Sequence, residues 1–326
     1  MIGTIIIALF LSACGNKSLN EKSLQEKEQE NTQDTTINQT NDTDQELFFS
    51  SHDFFEDFDG KLDHIHGLGY AGNQNAIFFA AHDGLKVYEN GKWFKTKKEN
   101  NDYMGFNAVD KGFYTSGHPG RDSNLPNPLG LKRSLDFGQT LENLGLEGES
   151  DFHAMGVGYE NHTVYVFNEH KNSKMGTGLY VTRDNGNTWA KIQAKNLGED
   201  IFSIAVHPKK DELVAVAGKD GVFLSKDGGE NFGKLNDKQG TSVFFSENAL
   251  WYGAYDKEPV LVKYVLETKE KVELSLPKLE KDAVMYLAQN PQNQSEIVFS
   301  TFNGHVFLSK DYAKTWDQLV KKGKIQ

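Results

Sequence analysis

One octapeptide decides the fold; it reads Thr182-Arg183-Asp184-Asn185-Gly186-Asn187-Thr188-Trp189. Three other stretches repeat its pattern, and they occupy residues 134–141, 225–232 and 309–316. The third residue of every copy is an aspartate. From one copy to the next, these aspartates are 48, 43 and 84 positions apart, and the last interval is two periods of 42. A repeat of about 20–50 residues is typical of propellers and solenoids.

The octapeptide has the composition of a tight turn between two strands. Its aspartate can accept backbone N–H bonds within the turn, and glycine adopts a positive φ without a steric penalty. We therefore predict structural roles, and no catalytic role, for Asp136, Asp184, Asp227 and Asp311. Ala313 replaces the glycine in the last copy, so we expect a strained or altered turn there.

The four copies resemble the Asp-box (BNR repeat), S/T-x-D-x-G-x-T-W, of sialidase-like and sortilin-like β-propellers. Two degenerate copies complete the series, one at residues 87–93 and one at residues 264–272. Six units of four short antiparallel strands predict an all-β, six-bladed propeller. The 31 Gly, 22 Phe and 12 Tyr also favour a β protein. A seventh blade stays open as an alternative if residues 47–58 form additional strands.

The N-terminus resembles that of a bacterial lipoprotein. Residues 1–13 are apolar but too short to span a bilayer, and they end in Leu11-Ser12-Ala13-Cys14, which is similar to a lipobox. The resemblance implies a signal peptide at 1–13, a lipidated Cys14 and an extracytoplasmic, membrane-anchored protein. Residues 14–46 are polar and almost free of aromatics, which predicts a disordered tether. The propeller domain is then 47–326.

Charge and cysteine content exclude several classes of protein. The formal net charge is −11, of which −9 lies in residues 15–63. The balance argues against a nucleic-acid-binding protein, which needs a basic face for the phosphates. A single cysteine excludes a disulfide framework and a cysteine-rich metal site.

Six of the ten histidines follow the blade pattern. In an antiparallel blade, the first strand begins at the end of the ring where the second strand finishes. First strands begin near His64, His66 and His153, and second strands finish at His82, His118 and His170. We therefore expect these side chains to meet on one face of blades 1–3, called the histidine face below, as a ligand-binding site.

A metal ion is one ligand that this face could hold. Imidazole suits copper and zinc, and thioether is a soft ligand that favours copper. Aligning the first strands places Met155 opposite His66, so the predicted ligands are His64, His66, His153 and Met155. The loop after His118 carries Arg121 and Asp122, which could contact a polar ligand on the same face.

Three functions stay open on these observations. The first is a lipid-anchored propeller that binds a ligand, a copper or zinc ion among the candidates, without turnover. The second is a glycoside hydrolase, which the resemblance implies; its carboxylates would come from Asp63, Asp83, Asp122, Asp151 and Glu169. The third is an assembly or receptor propeller with a protein partner. Sialidase activity is excluded because that family uses three separated arginines, whereas this chain has three in total and Arg183 lies in an Asp-box.

Overall fold

The structure, a computed structural model, describes residues 49–121 and 123–326. The predicted signal peptide, Cys14, the tether and Asp122 lie outside the described residues. Every paired strand is antiparallel, and the strands form six separate sheets. The prediction of a six-bladed β-propeller is confirmed.

Blades 1 and 2 follow the predicted order from the inner to the outer strand. Blade 1 contains β2 (Ile65–Gly69), β3 (Ile77–Ala81), β4 (Gly84–Glu89) and β5 (Lys92–Thr96), with β1 (Phe55–Asp57) added outside β5. Blade 2 contains β6 (Asp102–Val109), β7 (Gly112–His118), β8 (Leu131–Ser134) and β9 (Glu142–Gly145).

Blades 3 and 4 each have four strands. Blade 3 contains β10 (Met155–Val157), β11 (Val164–Asn168), β12 (Gly178–Thr182) and β13 (Ala190–Lys191). Blade 4 contains β14 (Ile201–Val206), β15 (Val214–Gly218), β16 (Gly221–Ser225) and β17 (Phe232–Asn236).

Blades 5 and 6 complete the ring. Blade 5 contains β18 (Gln239–Ser246), β19 (Ala249–Tyr255), β20 (Pro259–Val265) and β21 (Lys271–Leu274). Blade 6 contains β22 (Val284–Gln289), β23 (Ile297–Thr301), β24 (Val306–Ser309) and β25 (Asp317–Lys321), with β26 (Lys324–Ile325) outside β25. Both degenerate copies of the octapeptide are strand–turn–strand units, in blades 1 and 5.

The described part of the segment that could have formed a seventh blade, residues 49–58, packs onto the outside of blade 1 instead. Residues Phe49–Ser51 form a 3₁₀ turn, and β1 is a fifth strand beside β5. Phe49, Phe54 and Phe55 are buried in one cluster with Phe78. These three side chains therefore cover an existing blade, and residues 49–58 add no further blade.

The hydrophobic core is divided among the contacts between neighbouring blades. Each of six clusters of buried side chains joins two adjacent blades, including blade 6 and blade 1. The ring is closed by backbone pairing, since the Leu62 N–H donates to Gly323 O over 2.8 Å and Lys61 bridges to Lys324. This arrangement buries apolar surface that no single blade could cover.

The box aspartates are engaged within their own turns. Asp184 Oδ1 accepts the backbone N–H of Thr188 over 2.9 Å, and Asp184 Oδ2 accepts the Thr188 hydroxyl over 2.6 Å. Thr182 Oγ1 accepts the Gly186 N–H and donates to Asp184 Oδ1. Asp136, Asp227 and Asp311 make the corresponding bonds. These carboxylates act as turn ligands, at the end of the ring away from the histidine face.

Candidate functional site

A bulge near the start of the first strand orients the key histidine. Pairing between β2 and β3 shifts between Ile65 and Gly67, so His66 is the extra residue. A bulge re-aims the side chain of the inserted residue. The first strands of blades 4, 5 and 6 shift at the same place, where they carry Phe202, Thr241 and Met285. The bulge therefore belongs to the fold, and the histidine is specific to blade 1.

Three side chains converge at the junction of blades 1 and 2, and we call them the triad. His66 Nε2 lies 3.2 Å from His82 Nδ1 and 3.6 Å from Asp102 Oδ1. His82 Nδ1 lies 2.8 Å from Asp102 Oδ2. One ligand atom from each residue falls within a mutual distance of 4.8 Å. Two imidazoles and one carboxylate arranged in this way could hold a metal ion.

The triad is partly shielded from solvent. The side chains of His66 and Asp102 are 16% and 21% exposed, whereas that of His82 is 46% exposed. Burial lowers the pKa of His66 to about 4, against the opposing attraction of the Asp102 carboxylate. Asp102 Oδ1 is buried and accepts no hydrogen bond among the described residues. An unsatisfied buried carboxylate oxygen is uncommon and needs an explanation.

A second group lies beside the triad and is centred on Asp151. Its Oδ2 is 3.2 Å from His118 Nε2 and 3.4 Å from His153 Nε2. Burial raises the pKa of Asp151, although both histidines act in the opposite direction. Asp151 Oδ1 is also buried without a hydrogen bond among the residues that the structure covers. Nδ1 of His118 is held by Asn127 Oδ1 at 2.7 Å.

Backbone geometry lets the two strands of blade 2 approach closely at this point. Asp102, the first residue of β6, pairs with His118, the last residue of β7. Gly117 has a φ of +114°, and a Cβ at this position would lie 2.0 Å from the carbonyl oxygen of Asp102. Glycine is therefore required immediately beside the triad.

The remaining predicted residues have different positions. The His64 ring lies beside that of His82, with centroids 4.9 Å apart and planes tilted by 49°. His170 and Arg121 are exposed. Met155 is 5% exposed and packs in the core between blades 2 and 3.

The candidate carboxylates of the hydrolase hypothesis are dispersed. Asp63 pairs with Lys61, Asp83 pairs with Lys86 and Glu169 is exposed. Asp151 alone of those described lies between two histidines. It is the strongest of the predicted carboxylates for acid–base chemistry.

Sequence reasoning missed Asp102. The apolar pattern of the first strand of blade 2 begins at Met104, so the sequence alone places Asp102 in the preceding loop. The available signal was the alternation of a strand, because Asp102 and Met104 are two residues apart and share a side of β6.

A cavity in the central channel lies away from the histidine face. It has a volume of about 170 Å³ and is lined by the far ends of the first strands, among them Tyr70, Tyr159 and Gln289. The Tyr70 hydroxyl donates a hydrogen bond to Glu296, and the Tyr159 hydroxyl donates one to the carbonyl oxygen of Tyr70. The triad and the group around Asp151 are at the other end of the ring.

Comparisons with known proteins agree with the fold. The family model Sortilin-Vps10, described as sortilin, neurotensin receptor 3, matches residues 130–276. No curated protein matches the chain. Among the described residues, no helix has the length and apolar character needed to cross a membrane.

Solved structures of low sequence identity share the architecture. A GH74 enzyme of Niastella koreensis is 15% identical with a TM-score of 0.53, over 82% of this chain and 47% of that enzyme. The extracellular domain of BT4673 from B. thetaiotaomicron is 13% identical with a TM-score of 0.51, over 82% and 35% of the two chains. YCF48 bound to a D1 peptide is 13% identical with a TM-score of 0.50, over 85% and 87%.

The chain spans about half the length of the GH74 enzyme, and such identities show the fold alone. The family match covers the Asp-boxes of blades 2, 3 and 4, and the box geometry recurs in blade 6 outside the match. The chain is a six-bladed β-propeller with Asp-box turns, and residues 130–276 are similar to the sortilin family.

Proposed function

We propose that this protein is a membrane-anchored propeller that binds a divalent metal ion through His66, His82 and Asp102. The observation that carries the proposal is the geometry of the triad. Ligand atoms about 2.0–2.1 Å from a tetrahedral zinc ion are about 3.3 Å from one another. His66 Nε2 lies 3.4 Å from His82 Nε2 and 3.6 Å from Asp102 Oδ1, close to that value. With Nε2 of His82 as the ligand, its Nδ1 can still donate to Asp102 Oδ2.

Buried Asp102 Oδ1 adds independent support. This atom lies 3.6 Å from His66 Nε2 and has no hydrogen-bond partner among the described residues. Leaving a buried acceptor unsatisfied costs about 1–3 kcal/mol. A cation between Asp102 and the two imidazoles would satisfy this oxygen.

The donor set favours zinc over the copper that we expected from the methionines. Met155, the thioether in the predicted ligand set, is packed in the core, and the triad offers two nitrogens and one oxygen. Two histidines with a carboxylate are a common zinc set, in which the fourth position is taken by water or a ligand. We propose that this open position faces the solvent between blades 1 and 2.

Titration of the full-length protein with Zn²⁺ tests the proposal. We expect one tight site per chain, and we expect His66→Ala, His82→Ala and Asp102→Asn each to weaken it at least about 100-fold. Loss of a residue that only supports a ligand already costs about 10–100-fold. His162→Gln is the matched control, because His162 also pairs with an aspartate but lies at the other end of the ring. Equal affinities in all variants would refute the site.

Anchoring of the protein is a separate part of the proposal. The lipobox-like Leu11-Ser12-Ala13-Cys14 supports attachment to a membrane through a lipid on Cys14. Cys14→Ser should move the protein from the membrane fraction to the soluble fraction. Retention of this variant in the membrane would contradict lipid anchoring.

Glycoside hydrolysis is the second candidate, and Asp151 is the observation that favours it. A general acid needs a raised pKa, and burial raises that of Asp151. Asp102 would then be the second carboxylate. Release of aryl aglycones or of reducing ends from polysaccharides by the wild type, and its loss in Asp151→Asn, would support this function. No release from any substrate would remove it and leave metal binding or a protein partner.

A further inference from the structure

Two lysines are buried at the same position of the repeat in blades 1 and 2. Lys86 in β4 and Lys132 in β8 are each 1% exposed. Lys132 stands two residues before the serine of its Asp-box. Strand register places Lys86 at the same position, because it pairs with β3 as Phe223, two residues before Ser225, pairs with β15. In the other four blades this position holds buried apolar side chains, namely Tyr180, Phe223, Val262 and Phe307.

The comparison between blades shows that the fold accepts an apolar residue at this position. An ammonium group is costly to bury unless it is paired and hydrogen-bonded. Burial also lowers the pKa of Lys86. A lysine that four related blades do without therefore needs a local purpose.

The contacts of Lys86 indicate that purpose. Its Nζ donates to the carbonyl oxygen of Asp83 over 2.9 Å and to Asp83 Oδ1 over 2.7 Å. The same ammonium lies 5.5 Å from the centre of the Phe58 ring. Asp83 itself is 74% exposed. The buried lysine thus fixes a corner of the chain that is otherwise open to solvent.

That corner carries a member of the triad. His82 immediately precedes Asp83, and Gly84 begins β4 two residues later. The imidazole of His82 is 46% exposed, and its described polar contacts are to His66 and Asp102. The backbone of this corner is set by the pairing of Ala81 with Gly84, by the bond from the Gly84 N–H to Asn101 O over 3.1 Å and by the bonds from Lys86 to Asp83. Among these, the bonds from Lys86 are the side-chain contribution.

We propose that Lys86 is a positioning residue for the metal site, holding the corner at residues 82–83 so that His82 stays within reach of His66 and Asp102. This inference rests on the proposed function. The lysine does not contact the metal; it reduces the freedom of one ligand. Residues that orient a metal ligand in this way typically contribute about 10–100-fold to affinity.

Lys86→Met in the full-length protein tests the inference, with Lys132→Met as the matched control. Both variants replace an equally buried lysine by a flexible apolar side chain at the same repeat position. Lys132 pairs with Glu147, which is not adjacent to any residue of the triad. We expect Zn²⁺ affinity to fall about 10–100-fold in Lys86→Met and to change less than about threefold in Lys132→Met.

A spectroscopic measurement separates positioning from general stability. Co²⁺ bound to the wild type should give visible absorption bands whose energies change in Lys86→Met and not in Lys132→Met. Asp83→Ala, at an exposed side chain, provides a second variant if Lys86→Met does not fold. It should lower affinity in the same direction, and the double variant should be no weaker than Lys86→Met alone.

The possible results separate the two proposals. Absence of Zn²⁺ binding by the wild type refutes the metal site itself. The role of Lys86 is refuted, and the metal site is retained, if the wild type binds Zn²⁺ and Lys86→Met or Asp83→Ala binds it with the same affinity. The same conclusion follows if Lys132→Met weakens binding as much as Lys86→Met.

Discussion

Asp102 Oδ1 lies 3.6 Å from Nε2 of His66, a distance too long for a hydrogen bond and suited to two ligands of one metal ion. The same carboxylate is held by His82 through its other oxygen at 2.8 Å. One oxygen of Asp102 is thus held by His82. The other oxygen has no hydrogen-bond partner among the described groups and is available to a ligand.

Zinc should stabilise the wild type and not Asp102→Asn. A ligand that binds only the folded state adds about 2.7 kcal/mol at 100 times its dissociation constant. Thermal unfolding with and without excess Zn²⁺ measures this difference as a shift in Tm. A similar shift in both proteins would show that zinc acts elsewhere, while the metal-free Asp102→Asn protein serves as the control for folding.

Met155→Leu should leave both zinc affinity and stability nearly unchanged. Met155 is buried among apolar side chains between blades 2 and 3. Leucine has a similar volume, and such substitutions usually cost less than about 1.5 kcal/mol of stability. If the thioether is a metal ligand, as the sequence suggested, leucine will reduce affinity strongly. Titration of the two proteins with Zn²⁺ and Cu⁺ distinguishes these results.

Met155 lies apart from His66 for a geometric reason. Aligning the first strands by sequence sets Met155 against His66, but the strand registers set it against Leu68. Leu68 pairs with Phe79 as Met155 pairs with Val166, and the connection to the second strand is two residues longer in blade 1 than in blade 3. Sequence spacing alone does not reveal where the second strand begins.

The Asp-box repeat, in contrast, could be predicted from the sequence. The Asp-box is a local unit whose serine or threonine, aspartate and glycine bond within eight residues, so its chemistry is visible in the sequence. The histidine face followed from blade topology. The role of Asp102 could not be predicted without knowing where β6 begins, because a single acidic residue before an apolar strand resembles a loop residue.

Ala313→Gly should stabilise the protein. Ala313 occupies the glycine position of the fourth box with a φ of 64°, in the left-handed region that glycine adopts without penalty. We expect a gain of about 1 kcal/mol, partly offset by the lost burial of one methyl group and by the greater freedom of the unfolded chain. Urea unfolding measures it. Gly229→Ala, at the matching site of blade 4 with a φ of 90°, should destabilise the protein. Unchanged stability in both variants would show that the box tolerates alanine as well as glycine.

Acid should weaken the blades through the Asp-boxes. Hydrogen bonds from Thr188 and Thr315 lower the pKa values of Asp184 and Asp311 to about 2, from an ordinary value of 3.8. Since the folded pKa is the lower one, this stabilisation is present above about pH 4 and is lost as the pH falls towards 2.

Urea midpoints measured between pH 5 and pH 2 test this dependence. Asp184→Asn should be less stable than the wild type at pH 5. Its stability should decrease less than that of the wild type between pH 5 and pH 2. Asp237→Asn is the control, because the side chain of Asp237 is 94% exposed. Identical acid dependence in the wild type and in Asp184→Asn would contradict the role of the box carboxylate.

X-ray absorption at the zinc edge of the full-length protein loaded with one equivalent of Zn²⁺ tests the central claim most directly. The triad predicts a first shell of nitrogen and oxygen at about 2.0–2.1 Å, including the multiple scattering of two imidazoles. The spectrum of Asp102→Asn should differ. A sulfur shell at about 2.3 Å, one imidazole or fewer, or a spectrum of hydrated zinc would contradict a metal site formed by His66, His82 and Asp102.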